Sequence, residues 1–120
     1  MAVEAVVFDV GETLVDETAM WTRAADAAGV TPFTLMAGLG ATIALERPHD
    51  DVWELLGIEQ PAGTWVMDDW YTDALPCIAR LRAAGYGVYA SGNVPAFTED
   101  ELRPHFDGVA SAERWGVWKP

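Results

Sequence analysis

Asp9, Ser91 and Lys119 combine types and positions that could do covalent chemistry: Asp9 follows an apolar run at residues 3–8, Ser91 a second run at 86–90, and Lys119 lies beyond a third expected strand. A carboxylate is a weak nucleophile in water. Held in line with an electrophilic centre and beside a cation, it can form a covalent intermediate that water later opens. The small hydroxyl and loop amides of Ser91-Gly92 could hold an oxyanion such as a phosphoryl oxygen, and Lys119 could balance the negative charge gathered there. Each residue depends on a scaffold that brings three distant stretches of chain to one edge.

The pattern predicts such a scaffold. Residues 3–8 are β-branched and mostly apolar and end in Asp9 and a Gly11-Glu12-Thr13 turn, as in a strand of a parallel sheet covered on both faces. Residues 16–28 carry Met20, Trp21, Ala24, Ala25 and Ala28 at helical spacing, and Gly29 sits where a C-terminal cap belongs. Pro32 opens a second helix with Phe33, Leu35, Met36 and Leu39, weakened at Gly38 and Gly40 before residues 41–45. A short helix follows His49-Asp50-Asp51 and stops at Gly57. After Pro61-Ala62-Gly63, residues 73–84 place Leu75, Ile78, Ala79 and Leu81 on one helical face. A strand at 86–90, a short helix at 98–103 and a strand near 108–111 complete the pattern. The fold class expected is α/β, a Rossmann-like parallel sheet with three strands and a small all-helical cap inserted after strand one. The domains expected are a core of residues 1–15 and 64–120 and a cap of residues 16–63.

Composition limits what such a domain does. With 7 Lys and Arg against 19 Asp and Glu, the 120-residue chain has a net charge of −12 and is a poor electrostatic partner for nucleic acid or anionic membranes. Half its residues are hydrophobic (51%), which suits a folded domain, and the single cysteine, Cys77, allows no internal disulfide. The first residues lack the basic start of a signal peptide and are too short an apolar stretch for a membrane span, so a cytoplasmic location is expected.

The segments Phe8-Asp9-Val10-Gly11-Glu12-Thr13-Leu14, Val88-Tyr89-Ala90-Ser91-Gly92-Asn93 and Gly116-Val117-Trp118-Lys119-Pro120 resemble motifs I, II and III of the haloacid dehalogenase-like (HAD) hydrolase superfamily. The resemblance implies a magnesium-dependent hydrolase of small phosphate monoesters. Asp9 would be the nucleophile, Lys119 the neutralising catalytic residue, Ser91 and Gly92 the phosphate-binding group, and Asp9 with the Gly11 backbone carbonyl the Mg²⁺ ligands. Two departures qualify it. Phosphatases of the family carry a second, proton-handling Asp two places after the nucleophile, where this chain has Gly11; Glu12 is the neighbouring candidate for that work. The acidic motif IV is missing after Lys119-Pro120, leaving few oxygens for a cation that wants six, as in a hydrolase truncated after motif III. The fourth strand that would flank strand one is missing too, so residues 3–8 become an edge through which copies of the chain could associate. Dehalogenase-like or phosphonatase-like chemistry, or a non-catalytic oligomerising scaffold, are the alternatives.

Other features read as ordinary. Asp16, Glu17, Asp68 and Asp69 are expected to be solvated acids without a ligand role, and His49 and His105 surface histidines. Cys77 is expected in the core, and Gly38-Leu39-Gly40 lacks the setting of a dinucleotide fingerprint. Trp21, Trp53 and Trp65 could line a substrate pocket.

Overall fold

A computed structural model describes residues 2–64 and 68–119. The chain divides into two compact units, one of residues 1–17 and 67–120 and one of residues 18–66.

The first unit is built on three parallel strands, β1 (Ala5–Phe8), β2 (Gly87–Gly92) and β3 (Gly108–Ser111), in the order β1-β2-β3. Phe8 lies opposite Ala90, and Ser91 opposite Ala110, so the carboxyl ends of the strands come together. The expected α/β class is the one observed. β1 differs from expectation in one respect: Ala5 and Val7 are exposed, Val7 at 65%, while Val6 and Phe8 are half-buried, so the strand is not covered on both faces. Val88 and Ala90 of β2 are buried with Val10, Leu14, Val15, Ile78, Leu102 and Phe106 in the unit's core.

Helix α4 (Ala74–Ala83) packs on β2 through Ala74, Leu75, Ile78 and Leu81. Ala79 turns to solvent and Cys77 is only half-buried, against the expectations for both, because the buried stripe runs one position earlier. Arg80 and Arg82 in its last turn suit the negative end of the helix dipole. Arg82 also pairs with Asp107 at 3.0 Å, and Asp107 accepts the Val88 N–H at 2.8 Å while its own N–H donates to the Val88 carbonyl at 2.7 Å. A side chain thereby extends the hydrogen-bond ladder at the start of β3.

Helix α5 (Thr98–Leu102) and helix α6 (Ala112–Trp115) are tied to β3 by Glu99, which is 2% exposed. Its carboxylate accepts the Ser111 hydroxyl at 2.7 Å, the Ser111 N–H at 3.0 Å and Arg114 Nε at 2.7 Å. Ser111 in turn caps α6 by accepting the Arg114 N–H.

The second unit holds most of α1 (Glu17–Ala28), with α2 (Pro32–Ala44) and α3 (Asp51–Leu56). Thr31 caps α2 through a bond from the Thr34 N–H at 3.1 Å, and Pro32 occupies the first turn. The helix runs unbroken through its glycines. Gly38 is buried against Val52 and Leu56 of α3, where a larger residue would hold the helices apart. Phe33, expected on the apolar face, is 84% exposed. Trp21 and Trp53 pack with ring centroids 6.3 Å apart in this unit's core, so they fill the interior rather than line a pocket; Trp65 lies outside the described residues.

The bonds to Ser111 and Arg114 hold the Glu99 carboxyl below its ordinary range, the Ser111 hydroxyl contributing most. A lowered folded-state value means that the stabilisation is complete above the unfolded value of about 4.3 and is lost as pH falls through the folded one. Glu99→Gln should therefore lower stability at pH 7 by about 1–3 kcal/mol, with the gap to wild type narrowing below pH 4 in urea titrations.

Candidate active site

Past Phe8 the chain makes a compact turn rather than an open loop. The N–H groups of Leu14 and Val15 both donate to the Val10 carbonyl, at 2.9 and 3.2 Å, and Glu12 N–H donates to the Val15 carbonyl at 2.8 Å. Val10, Leu14 and Val15, each 2% exposed, anchor the turn in the core. Tyr71 N–H and Asp16 N–H fasten it to residues 69–71 by bonds of 2.8 Å to the Leu14 and Asp69 carbonyls. The turn holds Asp9 at the carboxyl end of β1 with half its side chain exposed.

This turn contains a strained residue. Glu12 adopts φ +57, a left-handed conformation that costs a non-glycine residue about 1 kcal/mol or more. Its carboxylate accepts the Tyr71 hydroxyl at 3.2 Å, which draws the side chain toward Tyr71.

Lys119 closes the site. Its Nζ donates to Asp9 Oδ1 and to the Ser91 carbonyl, the latter at 2.8 Å. Gly116, at φ +67, ends α6 and starts the segment that brings Lys119 to this position. Asn93 then fixes the lysine backbone from both sides: its Oδ1 accepts the Lys119 N–H at 2.8 Å and its Nδ2 donates to the Lys119 carbonyl at 3.0 Å. Asp9, Ser91 and Lys119 are thus brought together, as expected. Ser91 and Gly92 belong to β2 itself rather than to a loop beyond it. A Cβ on Gly92 would stand 2.9 Å from Val10 Cγ2, so a bare backbone here lets the Asp9 turn lie against β2.

Two residues of the site were not read from the sequence. Asn93 was visible only as part of a small polar loop, and nothing local marks it as a clamp. Glu17, expected to be a solvated acid, is half-buried and its carboxyl lies over Gly11: an ideal Cβ on Gly11 would stand 2.5 and 2.7 Å from its two oxygens. Burial, followed by the nearby charges of Glu12 and Asp9, raises the Glu17 carboxyl above its ordinary range. His105 packs edge-on against Trp70 at 5.6 Å, and the Asp16 N–H donates to the Asp69 carbonyl at 2.8 Å.

The donors among the described residues do not by themselves fit a divalent cation. Among the described residues no group of three or more His, Cys, Asp or Glu side chains is arranged to hold a metal ion, and one Asp9 oxygen is taken by Lys119. Asp9 with the Gly11 carbonyl does not by itself supply near-octahedral oxygen ligation.

Solved structures with the same architecture are described as dehalogenases and as a HAD phosphatase. The chain aligns over 99% of its length with a dehalogenase at 21% identity and TM-score 0.62, spanning 66% of that chain. It aligns over 95% with a HAD phosphatase from Thermococcus onnurineus at 17% identity and TM-score 0.60, spanning 64% of it. For the L-2-haloacid dehalogenase of Xanthobacter autotrophicus the figures are 99%, 20% and 0.62, with 60% of that chain spanned. No family model matches the sequence, and no curated protein matches it significantly. The chain therefore has the haloacid dehalogenase-like fold. It spans about two thirds of the length of the dehalogenase and the phosphatase and somewhat less of the Xanthobacter enzyme.

Two outcomes follow from this geometry. Because the folded-state value of Glu17 is raised, its ionisation opposes folding once pH exceeds the unfolded value of about 4.3. Glu17→Gln should melt higher than wild type at pH 7, and the gain should vanish below pH 4. Asn93→Ala should release the Lys119 segment without unfolding the sheet, seen as amide exchange at Lys119 at least ~10-fold faster while the amides of β2 stay protected.

Proposed function

We propose that the chain is a hydrolase that works through a covalent intermediate on Asp9, with small phosphate monoesters as its substrate class. The observation that carries this reading is the Asp9–Lys119–Ser91 arrangement at the carboxyl ends of parallel strands. An Asp9 oxygen attacks phosphorus, the P–O bond to the alcohol breaks, and an aspartyl-phosphate forms. Lys119 orients the carboxylate and offsets charge that collects on the phosphoryl oxygens. The Ser91 hydroxyl and the Gly92 N–H hold one of those oxygens. Water then attacks phosphorus, phosphate leaves, and Asp9 is regenerated. Because the described donors do not make a magnesium site, none of these steps is routed through a metal.

A second reading is displacement of halide from a 2-haloacid, giving an Asp9 ester that water opens. It is favoured by Gly11, which puts no side-chain acid beside the nucleophile, and by the likeness to proteins described as dehalogenases.

Phosphate and halide release from panels of phosphate monoesters and 2-haloacids, each with and without Mg²⁺, tests both. Phosphate release that disappears in Asp9→Asn and falls at least ~10²-fold in Lys119→Ala is the expected result. Halide release with the same dependence would establish the second reading. Release of neither, or release indifferent to Asp9→Asn, would overturn the proposal.

A further inference from the structure

The space above Gly11 has an occupant. A side chain at position 11 would begin where the Glu17 carboxyl lies, 2.5 and 2.7 Å from its oxygens, closer than real Cβ atoms come to their neighbours. Gly11 lacks the positive φ that would demand glycine, so the backbone alone does not explain the residue. The close approach of Glu17 does. The glycine and the glutamate are complementary: one leaves a slot in the nucleophile turn, and the other fills it with a carboxyl group from the first residue of α1. Glu12, the sequence neighbour with an acid, is drawn instead to Tyr71.

We propose that Glu17 is the proton-handling catalytic residue of the site, delivering from α1 the carboxyl that position 11 does not carry. The inference rests on the hydrolase reading above. In the first half-reaction the Asp9 oxygen bonds to phosphorus, the bond to the leaving oxygen breaks, and the Glu17 proton passes to that oxygen to give the alcohol. In the second, the oxygen of water bonds to phosphorus, its proton returns to the Glu17 carboxylate, and the bond to Asp9 breaks to release phosphate and the free carboxylate. One carboxyl serves both halves and ends as it began.

Reciprocal substitution tests the pair in the whole 120-residue chain, with the best phosphate monoester of the panel as probe. Glu17→Gln should lower turnover at least ~10²-fold while raising the melting temperature at pH 7. Gly11→Ala should cost comparable turnover with little change in melting temperature, because only the mobile end of Glu17 must give way. Gly11→Asp combined with Glu17→Ala should recover turnover to within ~10-fold of wild type, since a carboxyl again occupies the slot. Turnover that survives in both Glu17→Gln and Gly11→Ala, while vanishing in Asp9→Asn, would overturn the role of Glu17 and leave the hydrolase reading intact. Failure of the double substitution to recover any activity, with its fold preserved by circular dichroism, would do the same. Absence of wild-type turnover would overturn both together.

Discussion

The pairing of β2 with a parallel strand on each side is the constraint on which the remaining features depend. It sends β1, β2 and β3 in one direction, so that each releases its polar residues at the same edge. Val88, fully buried, sits at the centre of this arrangement, and its backbone is bonded to Asp107 through both N–H and carbonyl. Fixing that register fixes the opposition of Ser91 to Ala110, and with it the place from which the chain turns toward Lys119. A slip of one residue would reverse the faces of β2 and bring Tyr89 inward in place of Val88 and Ala90.

Around this frame, favourable and unfavourable terms are unevenly distributed. α4 and β2 bury their apolar stripe in the core, and the Glu99 carboxylate finds partners in Ser111 and Arg114. The turn after β1 holds a left-handed Glu12 and a half-buried Glu17 whose ionisation is opposed by its neighbours. Three buried side chains and several backbone bonds hold the turn despite those costs. Such a concentration of strain and displaced ionisation is expected where a fold keeps chemistry rather than packing.

The sequence made the scaffold legible where a periodic signal was strong. The apolar run before Asp9, the helical spacing of Met20, Trp21, Ala24 and Ala25, and the helix-opening Pro32 all report local physics, and the observed elements follow them. Asp9 and Ser91 are legible because each follows an apolar run, and Lys119 because its motif lies beyond a third expected strand. What was not legible depends on where distant segments meet. Ala79 and Phe33 face solvent because their helices present a neighbouring stripe to the core, which no window of sequence contains. Glu17 reads as one more acid at a helix start until the turn folds back beneath it. Asn93 acquires its role only from a backbone 26 residues away.

The contact between Asp9 and Lys119 joins residues 110 apart in sequence. Pairing of β1, β2 and β3 meets most of the loop-closure entropy between them, leaving only the stretch from the end of β3 at Ser111 to Lys119 to be closed. A ribosome-bound chain that has exposed everything up to Trp115 already carries all three strands and α6, yet it still lacks the cation that pairs with Asp9. The three strands can thus pair before Lys119 reaches Asp9, and the ion pair forms on a scaffold already in place.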